Sequence, residues 1–414
     1  MRILIYGVNY APELIGIGKY TSEMAEWLSA RGHTVRVVTA MPHYPAWKIS
    51  GGYRGWKYGK EMIRGVDVLR CPIWVPRRPK GLSRLFHPLS FALSSFPVAL
   101  AQAFWRPTVV FTVEPTLFCA PGALAAARLS GAGAWLHVQD YEVEAFFGLG
   151  YLKNGFLKKW ITAIEGWLTR RFDIVSAVSR RMVARLSELG LADSRVALFP
   201  NWVDTERVRP GIRGRDFRKE WNLAPDTRIV LYAGNMGYKQ GLELILDTAA
   251  AVREECPSAV FLMVGDGPAR DDLAEKAEKL GLHNVVFQPL QSPEDVASLL
   301  AAADVHLVVQ KKGCADAFLP SKLAGILAVG GVALVTADTD TELGRLAVEH
   351  PGIFILVPPE DSVSLTKALL SALSANGAGL DKNVIAREYA EKFLSKDIVL
   401  SRFEDTLFSL NIRV

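Results

Sequence analysis

The feature that most constrains this chain is an alternation that runs from one end to the other. Short runs rich in β-branched and aromatic residues take turns with amphipathic stretches of helical period. The first set is "RILIYG" (2–7), "TVRVVTA" (34–40), "VDVLRC" (66–71), "TVVFTV" (108–113), "AWLHVQ" (134–139), "DIVSAVS" (173–179) and "RVALFP" (195–200). The second is "RIVLYAG" (228–234), "AVFLMVG" (259–265), "NVVFQP" (284–289), "DVHLVVQ" (304–310), "VALVTA" (332–337) and "IFILVP" (353–358). Near-continuous apolar runs suit strands buried on both faces, and helices between them make the sheets parallel. The expected fold is therefore α/β, with two doubly wound Rossmann-like domains facing across a cleft.

The polar, Arg- and Gly-rich stretch 201–217 breaks the pattern and is expected to join the halves. Residues 1–203 then form the first domain and 204–382 the second. The stretch 383–414 reads as helices with no strand to follow, expected to pack back on the first domain. A length of 414 residues suits two domains, and a composition half apolar suits large cores.

Charge is modest in sum and uneven in place. Between Gly51 and His87 lie nine Lys or Arg and two acids, so this stretch carries +7 of a total of +5 and the remainder −2. A local basic patch suits an anionic partner or a solvated face. The cysteines Cys71, Cys119, Cys256 and Cys314 are far apart and form no metal-ligand spacing. That suits a reduced, cytosolic setting. The opening residues enter a strand pattern without signal-peptide architecture.

Two segments bear on membranes. Residues 85–105, "LFHPLSFALSSFPVALAQAFW", have no formal charge but contain His87, two prolines, three serines and Gln102. A buried helix, a helix lying in a membrane surface and a span are the readings open to it. The basic residues before it favour the surface over the span. In 157–172, "LKKWITAIEGWLTRRF", Trp160, Ile161, Ile164, Trp167 and Leu168 recur at helical spacing. The reading preferred there is a core-facing helix with a basic outer face.

In open α/β sheets ligands sit at the carboxyl ends of strands. Four loops qualify. "LYAGNMGYKQGLELIL" (231–246) places Gly234, Asn235, Gly237 and Lys239 between a strand and a helix. Glycine lets a backbone approach phosphate, and a helix start offers unpaired N–H groups. In "LPSKLAGILAVGG" (319–331), Lys322 stands in the first turn of a helix, where a cation is disfavoured unless an anion joins it. Ser321 is expected to cap that helix. A diphosphate would satisfy both loops. "NYAPELIGIGKYTSEMAEWL" (9–28) carries Gly16 and Gly18, but lacks the third glycine and distal acid of a dinucleotide fingerprint. "HVQDYEVEAFFGLG" (137–150) offers Asp140 and Glu142 as sugar-orienting groups or a base, or Asp140 as a plain cap. "VGDGPARDDL" (264–273) places Asp266 and Gly267 at a turn that borders a nucleotide or is only a turn.

Taken in order, these motifs resemble the two-Rossmann glycosyltransferases of the GT-B fold, within them the retaining family 4. They are more similar still to the WcaI-type colanic-acid biosynthesis glycosyltransferases, through "YGVNYAPELIGIGKYTSEMAEWL", "PTLFCAPG", "HVQDYEVEA", "FPNW", "HLVVQKKGCADAFLPSKLAGILAVGG" and "TELG". The resemblance implies an acceptor-binding first domain and a nucleotide-sugar-binding second one. It implies transfer of L-fucose from GDP-fucose to an undecaprenyl-diphosphate-linked saccharide at the cytoplasmic membrane face, with retention. The partners implied are thus a GDP-sugar donor, a lipid-linked acceptor and a peripheral anionic membrane surface. No nucleic acid, cofactor or metal is expected. Catalytic roles are expected for Lys322, Lys239, Asp140 and Glu142. Diphosphate contacts are expected from Gly234, Asn235, Gly237, Ser321, Gly16 and Gly18, and nucleotide contacts from Asp266 and Gly267.

The chain departs from the family pattern in several places. The Glu-x7-Glu positions hold Ala317 and Gly325. Asn235 stands for the usual Arg, Gln240 for the usual Lys and Gln139 for the usual His. Lys322 is the candidate to supply the missing charge. An epimerase or phosphorylase of the same fold, or a scaffold that binds without turnover, are the other readings.

Overall fold

The computed structural model describes residues 1–13, 16–77, 83–114, 117–140, 155–212, 214–312, 320–375 and 383–411. Two compact units divide it: Met1–Pro200 with Leu400–Val414, and Asn201–Val399.

The first unit is built on β1 (Arg2–Tyr6), β2 (Thr34–Ala40), β3 (Gly59–Ile63), β4 (Val66–Cys71), β5 (Val109–Glu114), β6 (Gly133–Val138), β7 (Ile174–Ala177) and β8 (Val196–Leu198). Their order in the sheet is β3-β4-β2-β1-β5-β6-β7-β8. All neighbours run parallel except β3, which pairs antiparallel with β4. β5 and β6 are buried at every residue, as their unbroken apolar runs require. β3 escaped the sequence reading because "GKEMI" shows no apolar face. It lies at the sheet edge with most of its residues in water.

The second unit contains β9 (Arg228–Ala233), β10 (Ala259–Val264), β11 (Val285–Gln288), β12 (Val305–Val308), β13 (Ala333–Thr336) and β14 (Ile355–Val357). Their order is β11-β10-β9-β12-β13-β14, and every pairing is parallel. In each sheet the order reverses beside the first strand, β1 or β9. That reversal is where an open sheet leaves a crevice at the carboxyl ends of its strands.

The stretch 201–217 is fastened to the second unit. Val203 N–H donates to Leu394 O (2.8 Å), and Lys396 N–H donates to Val203 O (2.9 Å). Arg387 reaches back to the carbonyls of Thr205 (3.0 Å), Val208 (2.9 Å) and Ala328 (2.7 Å). The expectation that everything after 383 packs on the first domain therefore divides. Residues 384–399 belong to the second unit, and only the part of the last helix from Leu400 onward joins the first. There Phe403 stacks on Phe199 (4.6 Å between centroids), and Glu404 binds Arg31 and His33.

Both membrane candidates are helices. Ser83–Ala101 buries Phe91, Ser95 and Ala99 against the first sheet, where Ser95 Oγ lies 2.6 Å from Tyr6 Oη. Its other side exposes Phe86, Leu93 and Phe96, and the following turn exposes Phe104. It is thus neither fully buried nor a span. Among the described residues no helix is long and apolar enough to cross a membrane. The Gly155–Thr169 helix corrects the sequence reading. Trp160, Ile164 and Trp167 face water, while its buried side contains Glu165, Gly166 and Thr169. Helical spacing identified one face but could not say which face the sheet would cover.

Candidate functional site

The densest gathering of expected site residues lies at the carboxyl ends of β9 and β10. Gly234, with φ at +144°, turns the chain out of β9, and its N–H donates to Val264 O (2.9 Å). Met236 N–H donates to Asp266 O (2.8 Å), and Ala269 N–H returns to Met236 O (2.9 Å). The two loops are thereby laced together through main-chain groups. Gly265 and Gly267 make this approach possible. A Cβ on Gly265 would overlap Gly234 O, and one on Gly267 (φ +151°) would lie 2.6 Å from Met236 O. Asp266 Oδ1 accepts from Gly267 N–H (2.7 Å). Gly267 therefore has a steric reason to be glycine that holds whether or not it touches a nucleotide.

Lys322 reaches the same place from the start of the Ser321–Ala328 helix. Its ammonium lies 3.8 Å from the centroid of the Tyr232 ring, and a Cβ on Gly234 would sit 3.2 Å from Nζ. Tyr232 Oη donates to Asn235 O (2.7 Å), so ring, loop and lysine form one assembly. Burial lowers the Lys322 pKa to about 7. An ammonium beside a helix start, resting on a ring face, is chemically able to receive an anion.

The cap differs from expectation. Pro320 is the N-cap residue with no side-chain hydrogen bond, and Ser321 is the first helical residue, with an exposed side chain. Proline fixes the entry angle and has no side-chain acceptor; its carbonyl takes the Leu323 N–H (2.8 Å). Lys239 lies in the short turn Tyr238–Gln240, and its side chain is outside the described residues. Sequence reasoning missed Tyr232, which read only as strand core, and Lys311. The Lys311 stem lies against Gly241, where a Cβ would meet its Cγ at 2.7 Å. A cation just past the end of β12 was the available signal for Lys311.

The first unit holds Gly16, Gly18 and Asp140; Glu142 falls outside the described residues. The loop after β1 is organised by a residue the sequence did not single out, the buried Glu13. Its carboxylate accepts from His43 N–H (2.9 Å), Tyr44 N–H (3.0 Å) and Asn9 Nδ2 (2.8 Å). Burial raises its pKa against the pull of these bonds. A Cβ on Gly18 would come within 2.9 Å of Glu13 Oε2, so that glycine makes room for the carboxylate. Beside it, the rings of His43 and His87 meet edge-on at 4.7 Å. Burial pushes His87 down to about 4 and also lowers His43, so both imidazoles are neutral at pH 7. His137 in "HVQD" is a core residue: its ring stacks on Phe111, and burial pushes it down to about 3. Asp140 follows β6, partly buried. No group of three potential metal ligands occurs among the described residues.

Residues 16–202 match the glycosyl transferase 4-like domain family, and residues 214–393 match the glycosyl transferases group 1 family. The chain is 46% identical to the Escherichia coli K12 protein named colanic acid biosynthesis glycosyl transferase WcaI, covering 97% of this chain and 98% of that one. It is 24% identical to a Mycobacterium tuberculosis glycogen synthase, over 94% of this chain and 90% of that one. Among solved structures, the sucrose-phosphate synthase of Thermosynechococcus elongatus superposes with a TM-score of 0.77 at 16% identity, over 100% of each chain. Anabaena HepE in complex with UDP and glucose gives 0.68 at 15% identity, over 99% of this chain and 100% of that one. These likenesses place the two parallel-sheet units in the GT-B fold.

Proposed function

We propose, from the premise that this chain belongs to the group 1 glycosyltransferases, that it moves L-fucose from GDP-fucose to an undecaprenyl-diphosphate-linked saccharide in the making of a colanic-acid-like exopolysaccharide. It is a transferase by family. The likeness to WcaI supports the colanic-acid-like product; fucose, GDP and the lipid-linked acceptor are what the family resemblance implies. A nucleotide-sugar donor is supported by the fold it shares with HepE, which holds UDP-glucose in its own crystal structure.

The observation that carries the reading is the Lys322 ammonium beside Gly234. Glycosyl transfer breaks the bond between the sugar carbon and a diphosphate oxygen, and negative charge grows on that oxygen. Preorganised donors aimed at such charge are a main source of rate. Lys322, Lys239 and the N–H groups of Asn235, Gly237 and Ser321 fill that role here, the Met236 N–H being already bonded to Asp266 O. The partly buried setting strengthens each interaction. Arrival of the diphosphate restores the lysine proton that burial weakens. This account calls for no resident metal. Asp140 and Glu142 orient the sugar or acceptor. Attack by the acceptor hydroxyl from the leaving-group side gives retention, which follows from the family likeness.

The protein works on the inner face of the cytoplasmic membrane, bound peripherally. The exposed Phe86, Leu93, Phe96 and Phe104, and the nearby Trp56, Lys57, Tyr58 and Lys60, support this. Tyr58 Oη donates to Ser94 O (2.9 Å) and joins the basic arm to the apolar helix.

A thermal-shift screen against nucleoside diphosphates tests the donor, since ligand stabilisation follows affinity. GDP should raise the midpoint more than UDP. A larger shift with UDP overturns the GDP-sugar assignment. The missing Glu-x7-Glu carboxylates favour one second reading, a scaffold that binds donor without turnover. Binding of GDP-sugars with no transfer across an acceptor panel would establish it.

A further inference from the structure

The Gly155–Thr169 helix carries a surface that glycosyl transfer does not use. Trp160, Ile164, Trp167 and Arg171 follow one another at steps of four, three and four residues, so they lie on one side of the helix and its immediate extension. That side is open: Trp160 is 58% exposed, and Ile164 and Trp167 are each 50% exposed. It is about 16 Å long at the helical rise. Two indoles and an isoleucine at least half exposed on one side of a helix need an explanation that single exposed side chains do not.

The rim supplies one. Lys159, Arg170 and Arg171 are exposed around the stripe. The Arg171 guanidinium lies 3.3 Å from the Trp167 ring centroid, and its Nη1 donates to Trp167 O (2.9 Å). Arg170 Nη1 donates to Leu189 O (2.9 Å). Arg195 Nη2 donates to Arg170 O (2.8 Å) and to Phe172 O. Each of these bonds ends on a main-chain carbonyl, so none neutralises the positive charge. Glu165 is the one acid between 155 and 171, and it points away, 2% exposed. An apolar aromatic stripe with a cationic rim and no outward acid on the helix itself matches a headgroup layer of negative charge. A second copy fits poorly, because a two-fold contact would set each basic rim against its mate.

We propose that the outer face of this helix, Trp160, Ile164 and Trp167 with Lys159, Arg170 and Arg171, docks on an anionic phospholipid surface. The indoles settle at headgroup depth, and the cations contact lipid phosphates. This rests on the peripheral reading above and adds a second contact, apart in sequence from the 83–105 helix, with a requirement for negative lipid.

The test is flotation of the full chain with phosphatidylcholine vesicles, with and without phosphatidylglycerol. Wild type should float only with the anionic lipid. Trp160→Ser/Trp167→Ser should weaken flotation at least about tenfold, as loss of two interfacial anchors implies. Lys159→Glu/Arg171→Glu should do the same. Trp160→Phe/Trp167→Phe should retain binding. All three should keep the wild-type melting midpoint and its GDP-induced shift. Serine variants that float like wild type overturn the proposal, as does wild type that ignores anionic vesicles. So does light scattering that finds a wild-type dimer which the serine pair splits without changing flotation. The GDP shift is read in solution, so the donor-binding reading is judged separately from this surface.

Discussion

The loops after β1 and β9 begin alike and end differently. Each follows the first strand of its sheet, at the point where strand order reverses, and each uses glycine before a helix. In the first unit the polar centre of the loop is already filled. Glu13 brings its own carboxylate to the N–H groups of His43 and Tyr44. In the second unit the matching place holds a cation and glycines, with Lys322 Nζ beside Gly234. The same topological position thus holds a carboxylate with its own donors in one unit and a cation beside glycines in the other, where the proposed diphosphate would sit. Glycine spacing does not separate the two cases; the sign of the nearby side chain does.

The contrast is broken most severely at Lys322. Lys322→Ala should lower transfer by at least about a hundredfold while the melting midpoint holds, as removal of a preorganised donor at developing charge does. Transfer at the wild-type rate would remove Lys322 from the chemistry. Glu13→Ala should act on folding instead. It orphans the buried His43 N–H, at roughly 1–3 kcal/mol, together with the partly buried Tyr44 N–H and Asn9 amide, and should leave GDP affinity unchanged. Chemical denaturation followed by GDP titration measures both. Gly267→Ala places a Cβ against Met236 O at a φ of +151°. It should cost about 1–3 kcal/mol and weaken donor binding along with stability.

A pH series sharpens the comparison further. The Lys322 pKa, lowered to about 7 by burial, means the free site is largely uncharged at pH 8 and above. The proposed nucleotide-sugar donor is expected to bind the protonated form, so that binding takes up a proton. Affinity should fall by up to about tenfold per pH unit from pH 7 to 9. Calorimetry in buffers of different ionisation heat reads this uptake, and Lys322→Met should abolish it. The smallest effect is expected at Ser321. Its hydroxyl caps nothing, so Ser321→Ala should change stability by less than about 0.5 kcal/mol.

The sheets were legible because a strand buried on both faces must be apolar throughout, and all thirteen such runs became strands. β3 was not legible, since an edge strand in water needs no such run. The place of Lys322 in the first turn of its helix was legible from the sequence, but its contact with the Tyr232 ring was not. Tyr232 was hidden inside an ordinary strand pattern, and its role beneath the ammonium depends on two loops meeting. Glu13 was hidden because a loop acid usually faces water; its burial is set by main-chain donors more than two dozen residues later in sequence. The exposed stripe of the 155–169 helix was visible as a period but not as a direction, because amphipathic spacing is the same whether the apolar side meets a sheet or a membrane.

The most direct measurement is a crystal structure of the protein soaked with GDP-fucose. It should place a diphosphate oxygen about 2.7–3.2 Å from Lys322 Nζ, with a second accepting from the N–H groups of Asn235 or Gly237. A diphosphate bound elsewhere, or a Lys322 ammonium still resting on Tyr232 with no anion beside it, would contradict the account.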